Sequence, residues 1–283
     1  MTHVMACIDS SQSSLAVCDY AAWASQKLHA PLTLLHVLDE EKYPASADLN
    51  GNIGLGSREH LLEELATLDA QRARLALEHG QHMLEKARER TLTSGAVLPE
   101  LKQRHGHLVE SLSDLQNDIR LLVIGRTGED STRDALSLGS QIEAVVRTIH
   151  RPILITTTNF KKPEQVMLAF DGSPTAHKTV QTLAASPLCE GLPVHLVMVG
   201  TDSDNSREAL EKAQVTLASS GFKVQTEIRQ GEVESALQDY QAEHGIDLLV
   251  MGAYGHSRIR QFLVGSTTTT MLRTATLPVL LLR

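Results

Sequence analysis

The chain has 283 residues, with 26 basic against 34 acidic side chains, a formal net charge of -8 and a pI near 5.9. Its 42 % apolar content suffices for ordinary globular cores, but the acidity suits a nucleic-acid backbone poorly, and 3 % aromatics leave no stacking platform for single strands. Cys7, Cys18 and Cys189 are odd in number and lack metal or redox spacing. They imply a reducing compartment without a disulfide framework. MTHVMACIDSS has no basic-plus-apolar leader, and no window approaches ~20 apolar residues, so the expectation is a cytoplasmic protein without a membrane span.

Residues 4–14, VMACIDSSQSS, read as a strand ending at Asp9, followed by Ser10, Ser11, Ser13 and Ser14 as helix-capping residues. A second strand exits at Val37. EEKYPASADLNGNIGLGSREHLLEELATLDAQR then begins as a Gly-, Asn- and Ser-rich loop. From about Arg58 to Arg90 it takes helical periodicity, as one long or broken helix packed on one stripe. GHLVESLSDLQNDIRLLVIG at 106–125 and LSLGSQIEAVVRTIHRPILI at 136–155 complete the first half. TTNFKKPEQ at 157–165 is polar and basic, as a short linker should be.

The second half repeats these blocks in the same order. VMLAF is a strand, and SPTAHKTVQTLAA is a helix with Ser173 as N-cap and Pro174 at its first position. PVHLVMV, a helix near 205–219, FKVQTEIR, a helix at 232–244, IDLLVMG, a helix at 264–274 and LPVLLLR follow. The Asp9–Asp171 offset of 162 shrinks to 127 for Gly125–Gly252, so the first copy carries 35 additional residues after its second strand. The chain therefore reads as two copies of one domain, 1–157 and 163–283, with an insertion at about 38–70. Strand–helix alternation with near-continuous Val, Ile and Leu predicts an α/β fold: two doubly wound, open parallel sheets covered on both faces.

Ligands bind beyond the carboxyl ends of such strands. DLLVMG puts Gly252 at such an end, and GAYGHSRIRQFLVGSTTTT leads from it into a helix near Ser266. Glycines permit close backbone approach, and a helix N-terminus offers free N–H donors, a combination suited to phosphate. The plainer alternative is a strand–helix connection with a Ser N-cap. Likewise Asp171 either accepts from a ribose hydroxyl or merely turns the chain with Gly172. No GKS or GKT makes this a P-loop, and GxGxxG, GxSxG and HExxH are absent. His79 with His82, and His105 with His107, lack partners at metal-site spacing, and no metal site is expected.

Gly252, Gly255, Gly265 and Ser266 form G-x2-G-x9-G-S, which resembles the nucleotide signature of the universal stress protein family. GAYGHSR, LPVLLL and the aspartate after strand one are similar to that family too, and the resemblance covers nearly the whole chain twice, as in a tandem member. It implies a five-stranded parallel sheet of order 3-2-1-4-5 in each domain. Many members bind ATP; others, with broken loops, do not. Carried over by motif, Asp171 lies near base and ribose, Val199 near the adenine, and Gly252, Gly255, Gly265, Ser266 and Thr267 hold ribose and phosphates. The first-copy counterparts are Asp9, Val37, Gly125, Gly128, Gly139 and Ser140. There ten residues separate the second and third glycines, and Gln141 stands where the second copy has Thr267. That loop carries Glu129, Asp130 and Asp134 against Arg126 and Arg133, whereas the second has Arg258 and Arg260 and no acid. Acids beside a polyphosphate repel it.

The resulting expectation is a stress-response protein that binds ATP, ADP or AMP, with or without Mg2+, mainly in its C-terminal domain. It acts as a nucleotide-dependent regulatory or signalling module toward a protein partner. It is no dedicated enzyme and has no catalytic residues. The alternatives are a ligand-independent assembly scaffold and a slow ATPase. The last strands, RPILIT and LPVLLLR, are apolar sheet edges that call for cover. The family resemblance implies that they pair, giving a pseudo-dimer within the chain, and two chains associate as a homodimer.

Overall fold

The computed structural model describes residues 1–39, 57–128, 141–253 and 266–283, the side chains of 57–63 and 266–269 excepted. The first copy runs β1 (His3–Cys7), α1 (Ser13–Leu28), β2 (Leu32–Leu38), α2 (Ser57–Thr93), β3 (Glu100–His105), α3 (Leu108–Leu115), β4 (Ile119–Gly125), α4 (Ile142–Thr148) and β5 (Ile153–Thr156). The second runs β6 (Val166–Ala169), α5 (Pro174–Ala184), β7 (Val194–Val199), α6 (Asp204–Ser219), β8 (Val224–Arg229), α7 (Val233–His244), β9 (Leu248–Gly252), α8 (Ser266–Thr274) and β10 (Val279–Leu282).

Apolar continuity sets the strands. In β4, IRLLVIG, only Arg120 is exposed, because helices cover both faces. Capping sets the start of α5: the Ser173 hydroxyl accepts from the Ala176 N–H at 3.1 Å, and Pro174 follows. No helix of the described residues is long and apolar enough to cross a membrane.

All ten strands join in one sheet of order β3-β2-β1-β4-β5-β10-β9-β6-β7-β8. Within each copy every pairing is parallel. The copies meet through the antiparallel pair β5–β10, with Leu154 opposite Leu280. Each edge strand thus covers the other, as the bare apolar edges required. Two hydrophobic cores run the length of this sheet, one per face. Leu154 and Leu280 belong to the face covered by α1 and α5. Ile153, Ile155, Val279 and Leu281 belong to the face covered by α4 and α8.

The linker is tied down at both ends. The Tyr20 hydroxyl donates to the Lys161 carbonyl at 3.1 Å. Asp247, buried, accepts from the N–H groups of Glu164 and Gln165 at 3.1 and 3.3 Å and pairs with the Lys161 ammonium.

The expected insertion helix is one continuous helix, α2, but it does not pack along its whole length as the one-stripe reading expected. Its C-terminal part buries Gly80, Leu84 and Ala87, and Arg90 chelates the buried Asp19 at 2.9 and 2.7 Å. From 64 to 79 no residue is buried; β2 ends at Leu38 and β3 at His105, so the sheet runs out beneath this part of the helix.

Buried His195 on β7 sits between the Tyr240 hydroxyl, 2.9 Å from Nδ1, and Gln165 Oε1, 3.2 Å from Nε2. A neutral ring satisfies both: Nε2–H donates to Gln165 and Nδ1 accepts from Tyr240. Burial, with neighbouring His244, lowers the His195 pKa below 6.5, against an opposing pull from Glu227. Below about pH 6.5 the unfolded histidine takes up a proton that the folded one refuses. Stability should therefore fall as pH drops through that region, and His195→Gln should flatten this limb of a denaturation-versus-pH curve. At the seam, Leu154→Ala and Leu280→Ala should each cost about 2–5 kcal/mol. Because the two side chains are cross-strand partners in one core, chemical denaturation of the double variant should show less than the sum.

Candidate functional site

In the second copy three parallel neighbours, β9, β6 and β7, end side by side. Gly252 closes β9, Val199 closes β7, and Asp171 follows β6 by two residues. The sheet thus gathers Asp171, Val199 and Gly252 at one carboxyl edge, beside the strand-order reversal where open α/β sheets bind ligands. Asp171 is exposed, and its Oδ1 accepts from the Ser173 N–H at 2.9 Å. This is the turn expected from Asp171 and Gly172, with Gly172 at φ 72°. The turn engages one carboxylate oxygen and leaves the carboxylate at the surface.

Gly252 is required by packing. A Cβ there would stand 2.9 Å from Thr179 Oγ1 and 3.0 Å from Thr175 Cγ2, so the end of β9 lies directly against the first turns of α5. Ser266 and Thr267 open α8, whose first N–H groups, as in any α-helix, have no acceptor within the helix. Gly255 and Gly265, with Arg258 and Arg260, lie outside the described residues.

In the first copy Asp9 follows β1 by two residues, Val37 is the next-to-last residue of β2, and Gly125 closes β4. Gly128 comes back toward the aspartate: a Cβ on it would meet Asp9 Oδ2 at 3.4 Å. Gly139 and Ser140 lie outside the described residues, as do Glu129, Asp130, Arg133 and Asp134.

The architecture has relatives. The family model for the universal stress protein family matches residues 1–157 and 193–283. Universal stress protein Slr1230 of Synechocystis is 36 % identical over 287 residues, covering 100 % of both chains. The chain belongs to the universal stress protein family. Among solved structures, a universal stress protein from Archaeoglobus fulgidus superposes with a TM-score of 0.71 at 19 % identity, over 99 % of this chain and 98 % of that one. A functionally unknown protein of Pseudomonas aeruginosa, PA1789, does so with a TM-score of 0.59 at 15 % identity, over 100 % and 92 %. These two likenesses concern the fold.

Within this universal stress protein fold the two aspartates differ in a way the loop charges did not reveal. Asp9 Oδ1 accepts from the Ser11 hydroxyl at 2.5 Å, the Ser14 hydroxyl at 2.8 Å and the Ser11 N–H at 3.1 Å. The serines after Asp9 therefore do not cap α1 as expected. Gln12 is the N-cap residue, without a side-chain bond, and the hydroxyls turn back onto the carboxylate. Donation to a carboxylate is charge-assisted, and it holds these short side chains turned toward Asp9 and away from the N–H groups at the start of the helix. Ser13 instead shares a 2.6 Å hydrogen bond with Thr127. The hint in the sequence was the run of serines itself, SSQSS against GSPTA in the second copy.

Arg126 is a second surprise. It follows Gly125 in the first-copy loop, yet its guanidinium donates to the Ala275 carbonyl at the C-terminal end of α8, in the other copy. Burial lowers its pKa. Arg273 of α8 reaches Glu143 of α4 at 2.9 Å in the same region. Across the seam, then, one copy's loop arginine serves the other copy's helix end, where cations are favoured.

Among the described residues no group of three or more His, Cys, Asp and Glu side chains could hold a metal ion. The three cysteines are free thiols, pushed up to about 12 by burial, which makes them unreactive at neutral pH.

A Cβ on Gly125 would stand 2.7 Å from Ser13 Cβ, an atom that cannot swing away. Gly125→Ala should therefore lower stability by about 1–3 kcal/mol. Adding Ser13→Gly should recover part of that loss in a thermal melt.

Proposed function

We propose that this universal stress protein binds an adenine nucleotide through its second copy and works as a nucleotide-dependent regulatory module. The exposed Asp171 carboxylate carries the reading. It stands at the shared carboxyl edge with Val199 and Gly252, whereas its counterpart Asp9 is engaged by Ser11 and Ser14. A ribose hydroxyl meets an acceptor surface at Asp171. At Asp9 it must displace hydrogen bonds already made to a charged group, each of the stronger kind.

In this reading Asp171 accepts from ribose, the backbone at Val199 receives the base, and Gly252, Gly255, Gly265, Ser266 and Thr267 surround ribose and phosphates. The N-terminus of α8 and the basic Arg258 and Arg260 suit an anion there. The first-copy set of Asp9, Val37, Gly125, Gly128, Gly139 and Ser140 is the weaker site. The domains divide at the linker, 1–157 from 163–283. ATP, ADP and AMP share the chemistry invoked, and Mg2+ accompanies the triphosphate. No acid–base pair is assigned, so the function is binding, and a protein partner reads the bound state.

A second reading, a ligand-independent scaffold, is favoured by the continuous sheet, which joins the copies without any ligand. Isothermal titration with Mg-ATP, combined with native mass spectrometry, separates the two. Nucleotide binding predicts one equivalent per chain, at least about tenfold weaker in Asp171→Ala and nearly unchanged in Asp9→Ala. Absence of saturable binding at millimolar nucleotide sinks the proposal in favour of the scaffold. Two equal equivalents would refute the asymmetry.

A further inference from the structure

The N-terminal half of α2 leaves the body of the molecule. Gln103 Nε2 donates to the Leu77 carbonyl at 3.3 Å, and Gly80 packs so closely that a Cβ would stand 2.7 Å from His36 Cδ2. His36 and Gln103 are register partners two residues before β2 and β3 end. At 1.5 Å per helical and roughly 3.3 Å per strand residue, α2 clears the sheet near residue 76. About 20 residues, or roughly 30 Å of helix, project beyond it. A helix of that length is marginal in water without packing.

This projection carries leucines. Leu65, Leu68 and Leu75 are 47 %, 50 % and 64 % exposed. With Arg72 they follow the alternating spacing of three and four of a coiled-coil seam. At 100° per residue the four lie within an arc of about 80°, and Gly80, Leu84 and Ala87, which face the body, lie roughly 100° round the helix. The leucine stripe is thus a separate face and not a frayed end of the core.

The sheet offers a second chain little else. β5 and β10 are consumed by each other. The outer strands, β3 and β8, carry Lys102, Arg104, Glu227 and Arg229, which discourage strand addition. The charges on α2 fit a second α2 in one orientation. Parallel pairing stacks Arg72 on Arg72 inside the seam. Antiparallel pairing sets Leu65 against the partner's Leu75, and lays the Arg72 stem over the partner's Leu68 with its guanidinium beside the partner's Asp69. Asp69 and Arg72 already lie 3.8 Å apart within one helix, a loose and exposed pair that exchanges partners at little cost. We infer that the projecting half of α2 is a dimerisation arm, which pairs antiparallel with α2 of a second copy of this chain through Leu65, Leu68, Leu75 and the Asp69–Arg72 charges.

Sedimentation equilibrium of the full chain across the micromolar range tests this. The unaltered chain should be a dimer. Leu68→Lys should weaken the dimer at least about 100-fold, with unchanged far-UV circular dichroism. Leu77→Lys, on the opposite side of the helix and 41 % exposed, should leave it intact. Orientation is read by disulfide trapping, the native thiols being buried or nearly so. Leu65→Cys chains mixed with Leu75→Cys chains should crosslink, and Leu65→Cys chains by themselves should not. A monomeric unaltered chain overturns the proposal, as does a dimer indifferent to Leu68→Lys. So does crosslinking of Leu65→Cys to itself.

Discussion

Everything else in this molecule is arranged about the antiparallel pair β5–β10. A five-stranded parallel sheet ends on a bare strand, and here that strand is among the most apolar in the chain: ILIT in one copy, VLLL in the other. Left open, each is a row of unpaired backbone groups on a greasy edge. Pairing them satisfies both rows and merges two sheets into one. Each hydrophobic core then spans both copies, so neither domain closes its interior without the other.

The seam also sets the surroundings of the two candidate sites apart. Antiparallel joining brings α4 and α8 to the same face on either side of it, linked by Arg273–Glu143 and by Arg126 at the end of α8. The first-copy loop is therefore braced from across the seam, whereas in the second copy Ala253 stands where Arg126 stands in the first. Together with the serines on Asp9, this gives two copies of one scaffold unequal surroundings.

Much of this was legible beforehand. The repeated blocks, the alternation of element types, the Ser173 cap and the placement of Asp171, Val199 and Gly252 at strand ends all follow from local patterns. They depend on short-range chemistry: apolar runs for covered strands, Ser–Pro for a helix start, glycine where a strand meets a neighbour. The fate of Ser11 and Ser14 did not follow from local pattern. A serine before a helix is a fair cap, and only the position of the Asp9 carboxylate shows that a charged acceptor has claimed it. Nor did local pattern predict where α2 would lose its support, since that depends on the lengths of two strands far apart in sequence.

The amino-acid sequence by itself determined the α/β class, the repeated blocks and the residues placed at the carboxyl ends of the strands, because each is written in local pattern or repeated motif; the strand order entered only through the family resemblance. Tertiary structure decided the contacts whose partners are distant along the chain: Leu154 against Leu280, Arg126 against Ala275, Arg90 against Asp19, and the unsupported span of α2. The physical reason is the same in each case. Which of several competent partners a side chain or an edge takes is settled by what the rest of the fold places within reach, and no local pattern encodes that distance.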